Sequence, residues 1–377
     1  MKPTLFFLFF FHTFFSLCQV RVDDYYKPAD GKDWAPAIQR AMDALDSLGH
    51  GSLEFTGTKN YYVSSNIELP RYGKTGRKIF ILNGNGCSIN AADSVFVFNR
   101  IPKNQKEALD KMMSVRFSIN DFTITGGKKA VNMGATYGTS MNRCNFQNQT
   151  ESAIDIQFGL NTSIFQCNST GACKNHFVLR TGSDWGGTAI NSQSNHSVLN
   201  MCRVYAGKGG NSAFMVLGSS GCVIRDCISE GNHEINYSVY FDYAKSNCVK
   251  LFKLENLHLE HAPKIAGIYI HNMGIAILDG IFYQMGHKGE DFVLVQVVDR
   301  SEQITLKNVP WYVPGTVLEQ YGGNDGACWE LENCSKEFYD EKNWRIHFGE
   351  EVKNKLPYYF RGHGYRYQIQ KDFKGGK

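Results

Sequence analysis

Short segments in the middle of the chain alternate apolar and other residues with a period of two, the pattern of a β-strand with one buried face. We expect the apolar residues to face a core and the residues between them to face outward. The segments are 153–158, 176–180, 213–217, 239–243 and 268–272. The predicted inward residues are Ile154, Ile156, Phe177, Leu179, Phe214, Val216, Val239, Phe241, Ile268 and Ile270.

Cysteines recur between these segments. Cys144, Cys167, Cys202 and Cys227 each end a similar hexapeptide, at intervals of 23, 35 and 25 residues. A period of this size, built from short strands and Gly-, Asn- and Ser-containing turns, is typical of a solenoid whose coils stack on one another. The sequence therefore predicts an all-β parallel β-helix, with these cysteines as small buried apolar residues.

Outward residues of successive coils should align in columns, because neighbouring strands lie about 4.8 Å apart. One predicted column holds Asp155, Val178, Met215, Tyr240 and Tyr269. The next holds Gln157, Arg180, Leu217, Asp242 and His271. Ahead of the repeats, residues 33–49 predict an amphipathic helix with Pro36 in its first turn and Gly49 past its end. Such a helix can cover the open end of a β-stack.

This opening segment and the strands after it resemble secreted and phage-borne proteins of the pectate-lyase superfamily. The matching residues are Asp30, Gly31, Ala37, Ile38, Gln39, Ala41, Tyr62, Val63 and the run from Ile81 to Gly86. The chain has Thr56-Gly57-Thr58 where that superfamily usually has Pro-x-Gly. The resemblance implies a right-handed parallel β-helix with an N-terminal capping helix, and commonly a groove that binds a polysaccharide.

Residues 1–18 predict a secretory signal peptide, because Lys2 precedes an apolar run over 5–15 that is too short to span a bilayer. We assign 19–310 to the β-helix with its N-terminal cap and 311–377, where the repeat fades, to a C-terminal cap and tail. The chain is expected to be secreted or held at the cell surface. In that oxidising setting Cys328 and Cys334 are candidates for a small disulfide loop.

The amino-acid composition limits the classes of molecule that the protein is expected to bind. The chain is 42% hydrophobic with only 9 Pro, so it must bury a core rather than remain disordered. Its 40 basic and 36 acidic residues give a net charge of +4, which excludes the concentrated basic surface of a non-specific nucleic-acid binder. No segment after the signal peptide is long and apolar enough for a membrane span. The expected partner is a polysaccharide.

Two reactions are usual for such a groove. A lyase of uronic-acid glycans needs a cation beside the substrate carboxylate and a base to remove the adjacent proton, whereas a hydrolase needs carboxylates that flank the scissile bond. The best candidates lie in two consecutive coils, where 225–234 aligns with 255–263 and Glu230 with Glu260. The predicted catalytic residues are Glu230, His233, Asp242, Glu260, His261, His271 and Arg180, the last as the carboxylate-neutralising cation.

Four residues are predicted to bind the substrate: Tyr240, Tyr269, Arg203 and Trp185. Trp185 lies beside glycines in a loop, so its ring either forms a sugar-stacking platform or folds back onto the rod. No metal ligands are assigned and the cofactor is unknown; calcium stays open. The favoured function is a secreted polysaccharide lyase, a monomer. The alternatives are a glycoside hydrolase and a non-catalytic glycan-binding adhesin, which as a tailspike-like protein would be a homotrimer.

Overall fold

The computed structural model describes residues 18–72, 78–188, 190–243, 251–284, 292–298, 303–321, 328–347, 358–362 and 365–369. The predicted signal peptide lies outside these residues, apart from Cys18. Strands dominate, and the α-helices are α1 (Ala35–Leu48) and α2 (Gln105–Asp110). Among the described residues no helix is long and apolar enough to cross a membrane.

Successive coils stack in parallel and present three faces. The strands of face 1 are Gln19–Arg21, Gly51–Glu54, Lys78–Asn83, Val115–Asn120, Ser140–Asn142, Ser163–Phe165, Val198–Asn200, Cys222–Arg225, Gln303–Lys307, Cys328–Glu332 and Tyr358–Gly362. The strands of face 2 are Asn60–Val63, Ser88–Ala91, Thr123–Gly126, Asn145–Gln147, Asn168–Gly171, Arg203–Ala206 and Ile228–Glu230. Leu251–Glu260 and Ile275–Gln284 each run through both faces.

Face 3 is a separate sheet of parallel strands. Its strands are Ile67–Glu68, Phe96–Arg100, Lys129–Tyr137, Ser152–Leu160, Asn175–Arg180, Ser212–Leu217, Tyr237–Asp242, Ala266–His271, Phe292–Val298, Thr316–Tyr321 and Trp344–His347. Tyr365–Ile369 folds back antiparallel on Tyr358–Gly362. Short 3₁₀ turns occupy Val22–Tyr25, Pro28–Asp30, Met112–Ser114, Ser183–Trp185, Asn232–Glu234, Lys336–Tyr339 and Glu341–Asn343.

The core lies inside the three faces. All ten residues predicted to face inward are buried, so the alternation in the sequence is confirmed. Equivalent residues pair in register from coil to coil; Phe177, for example, lies between Ile154 and Phe214. The rings of Phe177 and Phe214 stack with centroids 5.8 Å apart. Each coil therefore buries its apolar residues on those of its neighbours.

The corner between faces 1 and 2 explains the recurring cysteines. One residue there adopts a left-handed conformation, as Arg143 does with φ 53°, and the turn directs the following cysteine inward. Cys144, Cys167, Cys202 and Cys227 are buried free thiols, as predicted. Each thiol lies beside a backbone carbonyl of the coil below, for example Cys202 Sγ 3.5 Å from the oxygen of Ile164.

The suggested disulfide between Cys328 and Cys334 is wrong. Cys334 is a free thiol whose Sγ lies 3.2 Å from the carbonyl oxygen of Leu306. Cys328 begins the strand Cys328–Glu332, and Cys334 lies two residues beyond the end of that strand. A strand of five residues is about 13 Å long, and a disulfide requires Cα atoms less than about 7 Å apart.

Helix α1 closes the N-terminal end of the stack. Ile38, Met42 and Leu45 are buried in the same core as the first strands. The helix begins one residue later than Asp33 predicts, yet the Asp33 carboxylate still accepts the Ala35 N–H at 3.0 Å. At the other end, the parallel pairing runs on past residue 310 through Trp344–His347. The β-helix therefore continues into the segment assigned to the C-terminal cap.

His176 is an unusual member of the core. It is completely buried, and its Nδ1 lies 2.7 Å from the hydroxyl of Ser169. Burial lowers the pKa of His176 from 6.5 to about 3. A positive charge inside the core has no solvent to stabilise it, so the folded protein keeps this imidazole neutral.

We expect the free energy of unfolding to fall as the pH drops from 6.5 toward 3. Over that window the unfolded chain binds a proton on His176 that the folded chain does not, which costs about 1.4 kcal/mol of stability per pH unit. Urea unfolding across that range measures the slope. His176→Gln should reduce it by this amount, and His50→Gln, at an exposed position, should not. An unchanged slope in His176→Gln would contradict this assignment.

Candidate functional site

The outward columns of face 3 form as the alternation predicts. Tyr240 pairs with Tyr269, and Asp242 pairs with His271, on the adjacent strands Tyr237–Asp242 and Ala266–His271. Toward the N-terminus the same columns continue through Met215 and Leu217. Four of the predicted site residues thus lie on two neighbouring strands of one surface.

Three tyrosine rings cluster on this surface. Tyr240 and Tyr269 stack face to face with centroids 4.7 Å apart, and the ring of Tyr237 lies 5.1 Å from both. Burial, and next the nearby Asp242 carboxylate, raise the pKa of Tyr240 above its usual value. Its phenol therefore stays protonated and able to donate a hydrogen bond well into the alkaline range.

Sequence reasoning did not identify Tyr237. Its strand breaks the alternation, since Ser238 and Val239 are consecutive and both buried. Strict alternation from Val239 would turn Tyr237 inward, whereas its ring packs on the outward Tyr240 and Tyr269. Nothing in the amino-acid composition of the strand predicts this break in the alternation of inward and outward residues.

Asp242 and His271 form a hydrogen-bonded pair beside the tyrosines. His271 Nδ1 lies 3.0 Å from Asp242 Oδ1, and its Nε2 lies 3.1 Å from the side-chain amide nitrogen of Asn272. Since a carboxylate only accepts and the amide nitrogen only donates, Nδ1 carries the proton and the lone pair is on Nε2. The arrangement is that of a general base whose tautomer a carboxylate holds in place.

Arg180 does not serve as a free cation. Its guanidinium bonds Asp155 through Nε at 2.8 Å and Nη2 at 2.9 Å, and it bonds Asp184 through Nη1 at 2.9 Å and Nη2 at 2.8 Å. Nη1 also donates to the Ser183 hydroxyl at 2.8 Å. Burial alone would lower the pKa of Arg180, but these two carboxylates raise it above its usual value. The role of neutralising a substrate carboxylate is wrong, because all five donors are occupied within the protein.

Trp185 is not a sugar platform either. Its side chain is buried, and its ring packs with Met112, Ala135 and Phe158. Its Nε1 donates to Gln105 Oε1 at 3.0 Å. The alternative reading, a ring folded onto the rod, is the correct one, and the sugar-stacking role is excluded because neither face of the indole is open.

Glu230 and Glu260 lie on face 2. The register that pairs Ile228 with His258 continues to place Glu230 beside Glu260, as the aligned segments predict. Arg203, the predicted substrate-binding cation, donates to Glu230 Oε2 at 2.7 Å, and that bond raises the pKa of Arg203. Arg203 is thus already paired with a carboxylate.

The remaining histidines lie at the corner between faces 2 and 3. The rings of His233 and His261 meet edge to face with centroids 5.1 Å apart. Both belong to the turns that connect the carboxylates of face 2 to the tyrosine strands of face 3. The predicted site residues are therefore divided between surfaces. Face 3 holds Arg180, Tyr240, Asp242, Tyr269 and His271. Arg203, Glu230 and Glu260 lie on face 2, and His233 and His261 lie at the corner.

Face 3 continues toward the C-terminus as a polar strip. Glu319 accepts hydrogen bonds from Gln296 at 2.7 Å, from the hydroxyl of Tyr321 at 3.2 Å and from His347 at 3.2 Å. The rings of Tyr321 and His347 stack with centroids 4.5 Å apart. Sequence reasoning missed this strip because the repeats were followed only as far as Asn272.

The described residues contain no cluster of carboxylates that could hold calcium. No three His, Cys, Asp or Glu side chains in those parts of the chain converge as metal ligands. Calcium prefers six to eight oxygen ligands, usually including several carboxylates.

No protein-family model matches the chain, and no curated protein matches its sequence. Solved structures do match. The A-module of mannuronan C-5 epimerase AlgE6 from Azotobacter vinelandii aligns over 87% of this chain and 95% of its own length, with 12% identity and a TM-score of 0.51. The tailspike of E. coli bacteriophage HK620 aligns over 91% of this chain, with 11% identity and a TM-score of 0.59.

Tailspike 3 of bacteriophage CBA120 aligns over 92% of this chain, with 14% identity and a TM-score of 0.52. The chain spans 65% of the HK620 tailspike and 62% of the CBA120 tailspike. At these identities the likeness establishes the fold alone. The protein thus has the pectin-lyase-like fold, a right-handed parallel β-helix with an N-terminal capping helix, as its sequence predicted.

Proposed function

We propose that the protein acts on a polysaccharide that binds along face 3, and that it cleaves this glycan by β-elimination with His271 as the base. The observation that carries the proposal is the Asp242–His271 pair beside stacked Tyr240 and Tyr269. Two neighbours of the same fold support a glycan ligand: one is an epimerase of mannuronan, and the HK620 tailspike has been solved with a pentasaccharide. We also propose that the protein is secreted.

Each side chain has a role in the elimination. His271 Nε2 exchanges the hydrogen bond from the Asn272 amide for the proton on the carbon next to the uronic-acid carboxylate, and Asp242 stabilises the imidazolium that forms. The electron pair then forms the C=C bond as the glycosidic C–O bond breaks, and the imidazolium of His271 gives its proton to the leaving oxygen. Tyr240 and Tyr269 supply neutral phenol donors for the negative charge on the carboxylate and for the leaving oxygen. All four groups come from one chain, so a monomer suffices.

Hydrolysis on face 3 is disfavoured by the spacing of its carboxylates. Along the described strands, Asp242 is three rungs from both Asp155 and Glu319, or about 14 Å. Glycosidases place their two carboxyl groups about 5 to 9.5 Å apart. On the described strands of face 3, the group at hydrogen-bond distance from Asp242 on the next rung is the imidazole of His271 and not a second carboxylate.

Face 2 carries a second candidate function, glycoside hydrolysis. Glu230 and Glu260 lie on adjacent rungs, about 4.8 Å apart along the backbone, which is close to the separation in retaining glycosidases. The exposed aromatic rings of Tyr205 and Phe282 lie one rung before and one rung after this pair. Aromatic rings in these positions suit sugar faces on both sides of a scissile bond.

The first test is His271→Asn. We expect turnover on uronic-acid polysaccharides to fall about 100- to 10,000-fold, the usual contribution of a general base. The ultraviolet absorbance of the new C=C bond measures it. His196→Asn is the matched control, because His196 is exposed and its left-handed backbone suits asparagine. Full activity in His271→Asn would exclude His271 as the base.

Tyr269→Ala tests where the glycan lies. Loss of one stacked ring should weaken glycan binding by about 0.5 to 1.5 kcal/mol, or about 2- to 12-fold in the dissociation constant. Calorimetry with the inactive His271→Asn background measures this without turnover. Tyr62→Ala removes an exposed tyrosine on face 2, and this variant should bind as before. Equal affinity of the two variants would show that the glycan does not bind at the stacked tyrosines of face 3.

Glu260→Gln separates the two reactions. Under elimination at face 3 it keeps the absorbance of unsaturated products. Under hydrolysis at face 2 it loses reducing-end formation by a factor of about 100 or more, and His271→Asn has no effect. Reducing ends and absorbance are read in parallel for both variants. Binding without either signal on a broad panel of acidic and neutral glycans would identify a non-catalytic glycan-binding protein.

A further inference from the structure

The outward side of face 3 is open over only part of its length. Its N-terminal half lies beneath α2 and the 3₁₀ turn Ser183–Trp185, which together we call the wall. Trp185 rests directly on Gly134 of face 3: a Cβ on that glycine would lie 2.6 Å from the indole ring. No substrate fits between the wall and the strands at this point.

Specific bonds join the two parts of the wall. Gln105 of α2 accepts the indole N–H of Trp185 at 3.0 Å and donates to the carbonyl of Asn191 at 2.9 Å. Ala108 of α2, with Met112, packs against the same ring. The apolar contacts and the hydrogen bonds make the wall a fixed part of the fold.

Ion pairs fasten the wall to the strands. Asp184 of the turn bonds Arg180 at 2.8 Å, Arg180 bonds Asp155 at 2.8 Å, and Asp155 bonds Lys129 at 2.6 Å. Gln157 donates to Asp184 at 2.7 Å. This network stands where the covered half of face 3 meets the open half, and it explains why Arg180 is unavailable to a substrate.

Along the second column and its strip, side chains are buried at the wall, partly exposed near His271 and most exposed at the far end. Gln157 is 0% exposed. The side chain of Arg180 is 15% exposed and that of His271 20%. Tyr321 is 38% exposed, and the side chain of His347 48%. The surface beside His271 is therefore closed in one direction along the rod and open in the other.

The distance from His271 to the wall is short. Arg180, Leu217, Asp242 and His271 occupy consecutive rungs, so the wall begins three rungs, or about 14 Å, from His271. A glycan that runs along the stacked tyrosines meets the wall after a short oligosaccharide length. From this geometry we infer that the enzyme works from chain ends and releases short oligosaccharides; this inference rests on the proposed elimination at face 3.

The test is the product profile of the full-length protein on a uronic-acid polysaccharide that it cleaves. Two preparations of equal mass but different mean chain length are compared. A chain-end enzyme gives short products from the first time point, and its initial rate increases in proportion to the number of chain ends. Long fragments at the earliest times, with a rate independent of the number of ends, would overturn the inference.

A matched pair of variants tests the wall itself. Trp185→Phe and Trp329→Phe each remove one indole hydrogen bond to a glutamine, Gln105 at 3.0 Å and Gln320 at 2.8 Å. Trp329 lies in the core, away from the wall. We expect Trp185→Phe to lengthen the early products and to weaken the dependence on chain ends, and Trp329→Phe to change neither.

The outcomes separate the two proposals. If no unsaturated products form on any uronic-acid glycan, the proposed elimination fails, whether or not reducing ends appear. If glycan is cleaved but the early products are long, only the chain-end inference fails. If Trp185→Phe and Trp329→Phe give short products of the same length, the wall does not determine product length. That result would also count against the inference.

Discussion

The whole structure depends on the in-register stacking of one coil on the next. Parallel pairing places each residue about 4.8 Å from its equivalents in the neighbouring coils. Each side chain must therefore pack against the side chains at the equivalent positions of those coils. Phenylalanines stack on phenylalanines and buried thiols follow one another at the corner. Asparagines bond in rows, as Asn120 does with Asn83 at 3.1 Å and with Asn142 at 2.8 Å. The repeat in the sequence is the record of this constraint.

Opposite charges on adjacent rungs attract one another, and an acidic side chain between two basic ones shows this on face 3. Asp155 accordingly lies between Lys129 and Arg180. Arg100 is an exception without a carboxylate partner: it is fully buried and donates to backbone carbonyls, among them those of Pro70 at 2.8 Å and Met112 at 2.7 Å. Burial lowers its pKa to about 9. Its bonds tie face 3 to the segment that follows α2 and so support the wall from beneath.

Stacking also decides which groups can act together. Residues of one column stay within reach over one or two rungs only, so a catalytic set must come from adjacent coils of one face. Asp242 and His271 meet this condition on face 3, and Glu230 and Glu260 meet it on face 2. Between them lies a corner that holds His233 and His261. A single β-helix thus presents two chemically distinct surfaces, and the carboxylate–imidazole pair and the carboxylate pair favour different reactions.

By itself, the sequence determined the β-helix, its inward residues and the register that aligns Tyr240 with Tyr269 and Asp242 with His271, because a period of two and a repeating coil depend only on local spacing. The tertiary structure decided which groups the side chains of Arg180 and Trp185 contact and whether a substrate can reach them. Arg180 ends its strand at an outward position, as the alternation requires, and Trp185 lies in the turn that follows, yet α2, some 75 residues earlier in the chain, covers that part of face 3. Burial by a distant segment does not alter the hydrophobic periodicity of the strand that it covers. The sequence therefore did not predict that Arg180 belongs to an ion-pair network or that the ring of Trp185 is buried in the wall.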